Sequence, residues 1–566
     1  MVEAIKEEIK KLLSGAGVTG GIEVSAPPKS EMGDFAFACF GIAKESGENP
    51  ATVAKDLAAT IKPSGLVERV EAFGPYINFF LNPQELGNVV LKIADDEKFG
   101  THTFGKGQTV LVEYACPNPM KVFHLGHLRN LITGEAVVRM LENVGYDVKR
   151  VNYQGDVGMH IAKSLWGIFH LRNEFEDIKK KSVQEQVMFL GKAYALGATK
   201  FEEDEKIQAE ILDYNRKVYE QDPEIQDVYQ TARSWSLEYF DTIYTKLGTR
   251  FDRLYFESEV FEIGKKLVLS GVEKGIFRHS DGAVIFPGSE FGLHDRVFIN
   301  SQGFPTYEAK DMGLGKLHFA EYTPDKVIHV VGKEQSEYFK VVFQALAALL
   351  PHTVGKEHHL VGGYLQLKGD QKMSSRKGNV ISGDELIAVV EERVHEIMND
   401  RDLVGKDEIA RAVATAALKY AMLRVNASQD MAFDVNESVN TSGDSGPYLL
   451  YIVTRIRSLL EKAGTTVNQP AKIACPDQIL PEEKQLLMHV ARFAEVIEQA
   501  AHELDPSVIA KYLFALAQFF NSFYQACPVL DAPETQKQFR LHLITIVSRI
   551  MKQGLNILAI NTVTEM

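Results

Sequence analysis

Four cysteines in 566 residues, Cys39, Cys116, Cys475 and Cys527, are too few and too far apart for a disulfide frame or a zinc knuckle. They read as reduced thiols of a cytoplasmic protein, with no zinc expected. No apolar run approaches the ~20 residues of a membrane span, so no membrane partner is expected. Basic residues show no excess: 62 Lys and Arg against 76 Asp and Glu give a formal charge of −14. That balance excludes a general nucleic-acid coat and leaves room for a large folded RNA held through local basic patches. Internal repeats and low-complexity segments are missing as well. The first residues carry Ile5, Ile9, Leu12 and Leu13 at helical spacing, but the three glutamates among them argue against a transit peptide.

Hydrophobic residues make up 45% of the chain, enough for ordinary cores in three or four domains of ~150 residues each. Residues 1–83 read as an α+β module: an amphipathic helix, then strand-like runs at Met32–Phe37 and Tyr76–Leu81. A polar joint at Asp95–Gly107 leads to an α/β domain over 105–395. A long, charged helical stretch from about 160 to 245 interrupts it, within an insertion set at about 160–290. Strand-like runs return at Ala283–Phe286, Val297–Asn300, Lys326–Val331 and His359–Leu367. From 396 to 566 the period is helical, broken by a loop at Gly464–Pro481. Leu513, Leu516, Ala517, Phe520 and Phe523 form a face suited to a bundle.

The most informative residues are His124-Leu125-Gly126-His127 and, far along the chain, Lys372-Met373-Ser374-Ser375-Arg376-Lys377-Gly378. The first stretch lies between an extended run, Thr109–Tyr114, and a helix-period run, Leu131–Val144. Gly145 stops the helix and a second extended run follows at Asp147–Tyr153. Strand, turn, helix, strand is one βαβ unit of a nucleotide-binding sheet, with both histidines at the helix N-terminus. Free N–H groups and the positive dipole end suit a phosphate there. Imidazoles pointing the same way can donate hydrogen bonds as charge builds on a phosphoryl group. Gly126 lets backbone approach adenine and ribose closely. The second stretch is a small cationic loop able to close over the remaining phosphates. Alone, the histidine pair could bind a metal or be structural, and the basic loop could be a solvated turn. Together they describe a site that opens ATP at its α-phosphate.

The two stretches resemble the HIGH and KMSKS signatures of class I aminoacyl-tRNA synthetases. The runs Glu113–Asn118, Asn152–Gly158, Thr306–Asp311, Gly446–Tyr451 and Phe519–Tyr524, with Gly74–Leu81 in the first module, resemble the arginyl family in particular. The resemblance covers essentially the whole chain. It implies a Rossmann-like catalytic domain with a helical insertion, an N-terminal tRNA-binding α+β module and a C-terminal all-α anticodon-binding bundle. The implied activity is ATP-dependent attachment of L-arginine to tRNA(Arg), with Mg²⁺ on the phosphates and a monomeric enzyme. One departure stands out, because Ser375 occupies the place of the second KMSKS lysine. The cation that meets the phosphates is therefore left open among Lys121, Lys372, Arg376 and Lys377, while His124, Gly126, His127, Met373, Ser374 and Ser375 would hold the nucleotide.

A guanidinium is planar, permanently charged and has five donors, so its site needs carboxylates in a fixed fork. Family position points to Glu113 and Asp311, with Asn118 on the substrate's α-amino or carboxylate end and Tyr307 and Gln335 flanking its side chain. For tRNA the resemblance implies Asn78 and Phe80, together with Tyr448, Tyr451, Asn521 and Tyr524. Phe80 could nearly as well be a core residue of its strand, and helical spacing would equally place several of the other four in the bundle core. Two rivals stand beside this reading. A cysteine-specific sister enzyme would call for a zinc site that these cysteines do not offer. A non-catalytic tRNA-binding paralogue would have no need for both phosphate signatures.

Overall fold

A computed structural model describes residues 1–27, 29–368, 381–400, 404–464 and 475–566. They form two compact units. One comprises Met1–His102, Leu449–Gln499 and Lys511–Leu555; the other comprises Thr103–Tyr448, Ala500–Ala510 and Asn556–Met566.

In the larger unit, five parallel strands lie in the order Glu357–Gly362, Lys326–Gly332, Thr109–Glu113, Asp147–Gln154, Arg253–Phe256. The order reverses between Thr109–Glu113 and Lys326–Gly332, the arrangement of a doubly wound nucleotide-binding sheet. The central strands are apolar because both faces are covered; Val110, Leu111, Val112, Val327, Ile328 and Val330 are all buried. The helix Leu125–Asn143 starts at the first histidine, earlier than the apolar period at Leu131 indicates. Five helices from Met159 to Lys246 form the insertion, with a core of Ile161, Leu165, Phe189, Val228 and Trp235. The chain re-enters the sheet at Arg253–Phe256, a short strand that the sequence reading absorbed into the insertion. The single strand expected over His359–Leu367 is two: Glu357–Gly362 in the main sheet, and Leu365–Leu367, which pairs with Met431–Phe433.

In the smaller unit a four-stranded antiparallel sheet carries Tyr76–Leu81 between Phe35–Ala38 and Val67–Phe73. Met32 belongs to a 3₁₀ turn rather than to the strand expected from its apolar neighbours. Residues 1–102 share this unit with C-terminal helices, and contacts between them are specific. Lys484 Nζ donates to Asp34 Oδ2 at 2.7 Å, and Glu3 N donates to Glu495 Oε1 at 2.9 Å. His542 Nε2 lies 2.6 Å from Asp95 Oδ1. Charged partners more than 400 positions apart leave no periodic mark in the sequence.

Candidate active site

The chain leaves the Thr109–Glu113 strand through a loop in which Ala115, Cys116 and Met120 take φ values of 69°, 50° and 60°. Side chains rarely adopt this region, so the loop stores strain that its surroundings must hold. Tyr114 N donates to Val151 O at 3.2 Å, and Met120 N donates to Ser236 Oγ of the insertion at 2.9 Å. Beyond the carboxyl ends of the strands, at the reversal of strand order, lies a cleft of about 710 Å³. Glu113, Asn118, His124, Gly126, His127, Tyr307, Asp311 and Gln335 all line it. The fold thus brings together eight residues that the sequence reading picked from four separate segments.

At one end His124 caps the Leu125–Asn143 helix and His127 stands at its third position. Each backbone N–H donates to the other residue's Nδ1 at 3.3 Å, and the rings stack with centroids 3.5 Å apart. A ring nitrogen that accepts a hydrogen bond carries no proton, so this network assigns both imidazoles the Nε2–H tautomer. Desolvation, then the Lys121 charge, holds His124 below the usual imidazole range. Desolvation, His124 and Lys121 push His127 well below it. Both rings are therefore neutral donors near pH 7. Gly126 has a second reason beyond close approach of a nucleotide: a Cβ there would stand 3.0 Å from His124 Cε1, so a side chain would crowd the capping ring.

Lys121 does not line this cleft. Its ammonium lies 5.9 Å from the Tyr194 ring centroid, and burial lowers its pKa. Lys372, Met373, Ser374, Ser375, Arg376 and Lys377 fall outside the described residues. The segments flanking them border the site. Gly363 and Tyr364 line the cleft, and Gly383 N donates to Phe123 O at 2.7 Å beside a bridge between His124 and Ser382.

At the other end the cleft is acidic. Glu113 is 4% exposed; its Oε1 lies 3.2 Å from His329 Nδ1. Burial pushes its carboxyl up, but the His329 charge outweighs this and holds it below the usual range. Asp311 accepts from Tyr338 OH at 2.6 Å. Burial, with the Glu113 and Glu257 charges, pushes its carboxyl up to about 8 despite that bond. A carboxyl so placed gains by meeting a cation. Glu257 also lines the cleft and pairs with Lys310 at 2.8 Å. Asn118 Oδ1 accepts from Gly155 N at 3.1 Å. Tyr153 OH and Glu113 Oε2, both on the cleft, make no hydrogen bond among the described residues. The sequence reading missed Tyr153, Glu257, His329 and Tyr338 as site residues. Tyr153 lay within a quoted motif; no local signal marked the others.

Among the residues proposed to meet tRNA, Asn78 and Phe80 share one face of Tyr76–Leu81, by strand alternation. Asn78 is 1% exposed, with neither amide atom hydrogen-bonded among the described residues. Phe80 is half-buried under the Arg69 guanidinium, 3.7 Å from its ring centroid. Tyr451, Asn521 and Tyr524 converge on Arg455, which the sequence reading did not single out. Its Nη1 reaches Asn521 Oδ1 at 3.3 Å, its Nη2 bonds Tyr451 OH, and its guanidinium lies 5.2 Å from the Tyr524 ring centroid. Tyr448 is not part of this group. It is buried, 7% exposed, and belongs to the larger unit.

Comparison with known proteins agrees with this geometry. The family model of the class I (R) tRNA synthetase catalytic domain matches residues 89–435. The DALR anticodon binding domain matches 449–566, and the arginyl tRNA synthetase N terminal domain matches 1–81. An arginine–tRNA ligase of Treponema denticola is 31% identical over 559 residues, covering 95% of this chain and 94% of its own length. One of Clostridium botulinum is 31% identical over 548 residues, covering 96% of each chain. The solved arginyl-tRNA synthetase of Thermus thermophilus superposes with a TM-score of 0.79 at 27% identity over 100% of both chains. With its stacked histidines at the helix start and its acidic cleft at the sheet's switch point, this chain belongs to the arginyl-tRNA synthetase family of class I.

Proposed function

We propose that the protein is an arginine–tRNA ligase. An oxygen of the arginine carboxylate attacks the α-phosphorus of ATP, the bond to the β,γ-unit breaks, and pyrophosphate leaves, giving arginyl-adenylate. A ribose hydroxyl at the tRNA 3′ end, the 2′-OH by the class I pattern, then attacks the carbonyl carbon and AMP leaves. No side chain acts as nucleophile; positioning and charge stabilisation supply the acceleration. His124 and His127 donate from Nε2 to the phosphoryl oxygens as charge grows there. Gly126 and the segment Met373–Ser375 hold the nucleotide, and Lys121, Lys372, Arg376 and Lys377 are the candidate cations for the phosphates. Among the described residues no three His, Cys, Asp or Glu are placed to hold a metal ion. We take Mg²⁺ as a counter-ion that would arrive on ATP, and every step above is carried by the protein's own residues.

Glu113 and Asp311 take the guanidinium, Tyr307 and Gln335 flank its stem, and Asn118 takes the amino-acid end. We assign tRNA contacts to residues 1–83 through Asn78 and Phe80, catalysis to 105–395, and anticodon contacts to 396–566 through Tyr451, Asn521 and Tyr524. Tyr448 takes a supporting place in that last region. No helix among the described residues is long and apolar enough to cross a membrane. A cytoplasmic monomer is the assembly this reading adopts.

The observation that carries the reading is the opposition within one cleft of two neutral donors and a set of carboxylates without a full complement of cations. The test is ATP–pyrophosphate exchange with each of the twenty amino acids, with and without tRNA. Arginine alone should support exchange; exchange with another amino acid would move the specificity elsewhere, and none under any condition would remove the activity.

A further inference from the structure

Glu113 and His329 are exact cross-strand neighbours in the parallel sheet, and Glu357 lies on the next strand. His329 lies between them: Nε2 is hydrogen-bonded to Glu357 Oε2 at 2.8 Å, and Nδ1 stands 3.2 Å from Glu113 Oε1, within ion-pair distance but without hydrogen-bond geometry. All three side chains are 5–7% exposed. His318 backs Glu113 at 4.0 Å, fully buried, with neither ring nitrogen hydrogen-bonded among the described residues. The remaining neighbours of His329 are Asp311 on the helix of His318, His358 and His359 on the strand of Glu357, and the Phe339 and Phe343 rings, 5.1 and 5.4 Å away.

We infer that His329 and Glu357 are positioning residues for arginine recognition: the buried imidazolium keeps Glu113 ionised and aimed at the cleft, and Glu357 shares that imidazolium so that Glu113 keeps charge for the substrate. The inference rests on the reading of Glu113 as an arginine ligand. Two carboxylates and one imidazolium leave one net negative charge beside the cleft, the complement of one guanidinium. Burial lowers His329, but Glu113 and Glu357 outweigh it and raise the imidazole well above its ordinary range. Burial holds His318 neutral, at about 4. Without the His329 charge, two buried carboxylates face each other uncompensated, and burial then drives Glu113 to take up a proton. A neutral carboxyl is a weak partner for a guanidinium. A cation placed behind the pocket thus strengthens the binding of a cationic substrate. Simple addition of charges predicts the reverse.

The sign is the test. His329→Gln should raise the arginine KM by on the order of tenfold, the factor expected when burial, no longer opposed by the imidazolium, carries the Glu113 carboxyl about one unit above the assay pH. ATP KM and kcat should stay within about twofold of the parent. Glu357→Gln should raise the arginine KM less, since the imidazolium then turns wholly to Glu113. The double variant removes one charge of each sign and restores the net −1, so its arginine KM should return toward the parent value. Nitrogen-15 NMR of the parent should show both ring nitrogens of His329 protonated at pH 8. A neutral ring there, an unchanged or lowered arginine KM in His329→Gln, or no rescue in the double variant would overturn the inference. Should His329→Gln fail to fold, Glu357→Gln, the double variant and the NMR measurement still decide it. If Glu113→Gln itself left the arginine KM unmoved, the arginine-site reading would fail, an outcome distinct from failure of the His329 role alone.

Discussion

The two ends of the cleft solve opposite problems with opposite chemistry. On the proposed assignment, the nucleotide end would meet an anion with neutral donors: two imidazoles, stripped of charge by desolvation and nearby Lys121, with both Nδ1 atoms occupied by backbone N–H groups. The amino-acid end would meet a cation with carboxylates whose ionisation is contested, Glu113 held down by His329 and Asp311 pushed up to about 8. The first end is preorganised and indifferent to pH near neutrality. The second is poised, and substrate completes it.

The difference is sharpest in the response to losing one group. His127→Ala removes a positioned donor to a growing oxyanion, a loss that usually costs 10²–10³-fold in rate. Adenylate formation in a single turnover should fall by that factor, with arginine affinity little changed. An unaltered activation rate would remove His127 from the phosphate end. Glu113→Gln and Asp311→Asn should do the converse, raising the arginine KM by on the order of 10²-fold while ATP binding without arginine hardly moves. A buried guanidinium that loses a carboxylate keeps its desolvation cost, ~3–5 kcal/mol for such truncations. Citrulline, uncharged and nearly isosteric, should be rejected by the parent and lose less than arginine in the variants. Parent-like arginine kinetics in both variants would end the pocket assignment.

These ends were unequally legible in the sequence. His124 and His127 are three residues apart at a helix start that follows a strand, so local pattern puts them at a candidate phosphate site, and the distant basic loop was needed to prefer that reading over a metal pair or a structural one. Their tautomers were not legible, because the reciprocal bonds depend on ring rotamers. The acidic end is assembled from the ends of several strands and from the Tyr307–Tyr322 helix, and Glu113 and Asp311 entered only through resemblance. Glu257, His329, Glu357 and Tyr338 escaped even that. His329 and Glu357 matter through pairing across strands, and Glu257 and Tyr338 through contacts with the Tyr307–Tyr322 helix, neither of which single-sequence periodicity reports. The five-strand sheet was legible where apolar runs were long. It was missed at Arg253–Phe256, where four residues, one of them Arg253, interrupt helical sequence. The union of residues 1–102 with the C-terminal helices includes polar contacts such as Asp34 with Lys484 beside apolar ones such as Phe99 with Phe493, and no pattern announces the pairing.

The poised end should reveal itself by pH. Asp311 in the free protein holds its proton up to about 8, above the ordinary 3.8, and a bound guanidinium favours the ionised form. Binding then expels a proton, so arginine affinity should rise with pH until the carboxyl ionises by itself and level off above about 8. Between pH 6.5 and 8 the arginine KM should fall roughly tenfold, the linkage expected when one group must ionise to bind. The histidine pair, already neutral, should leave the ATP KM flat over the same interval. Asp311→Asn should flatten the arginine profile while keeping that of ATP. A flat arginine profile in the parent would mean that Asp311 is ionised in the free cleft.

The smallest expected effect tests whether a third group belongs to the nucleotide end at all. Lys121 follows the strained Met120, and its charge reaches His124, His127 and Glu257, yet its ammonium stands toward Tyr194 rather than in the cleft. To meet a phosphate it must turn out of that position when ATP arrives. A cation that approaches late and partly solvated contributes ~1 kcal/mol, about fivefold in rate, well short of a fixed donor. Lys121→Ala should therefore slow single-turnover activation about fivefold at saturating arginine and ATP, and Lys372→Ala should slow it no more, since Ser375 stands where a second lysine would otherwise share the load. Lys121→Arg should recover most of the loss, because charge rather than shape is at issue. Parent activity in Lys121→Ala would leave the phosphates to Lys372, Arg376 and Lys377, and would reduce the preorganised end of the cleft to the two histidines and the helix start.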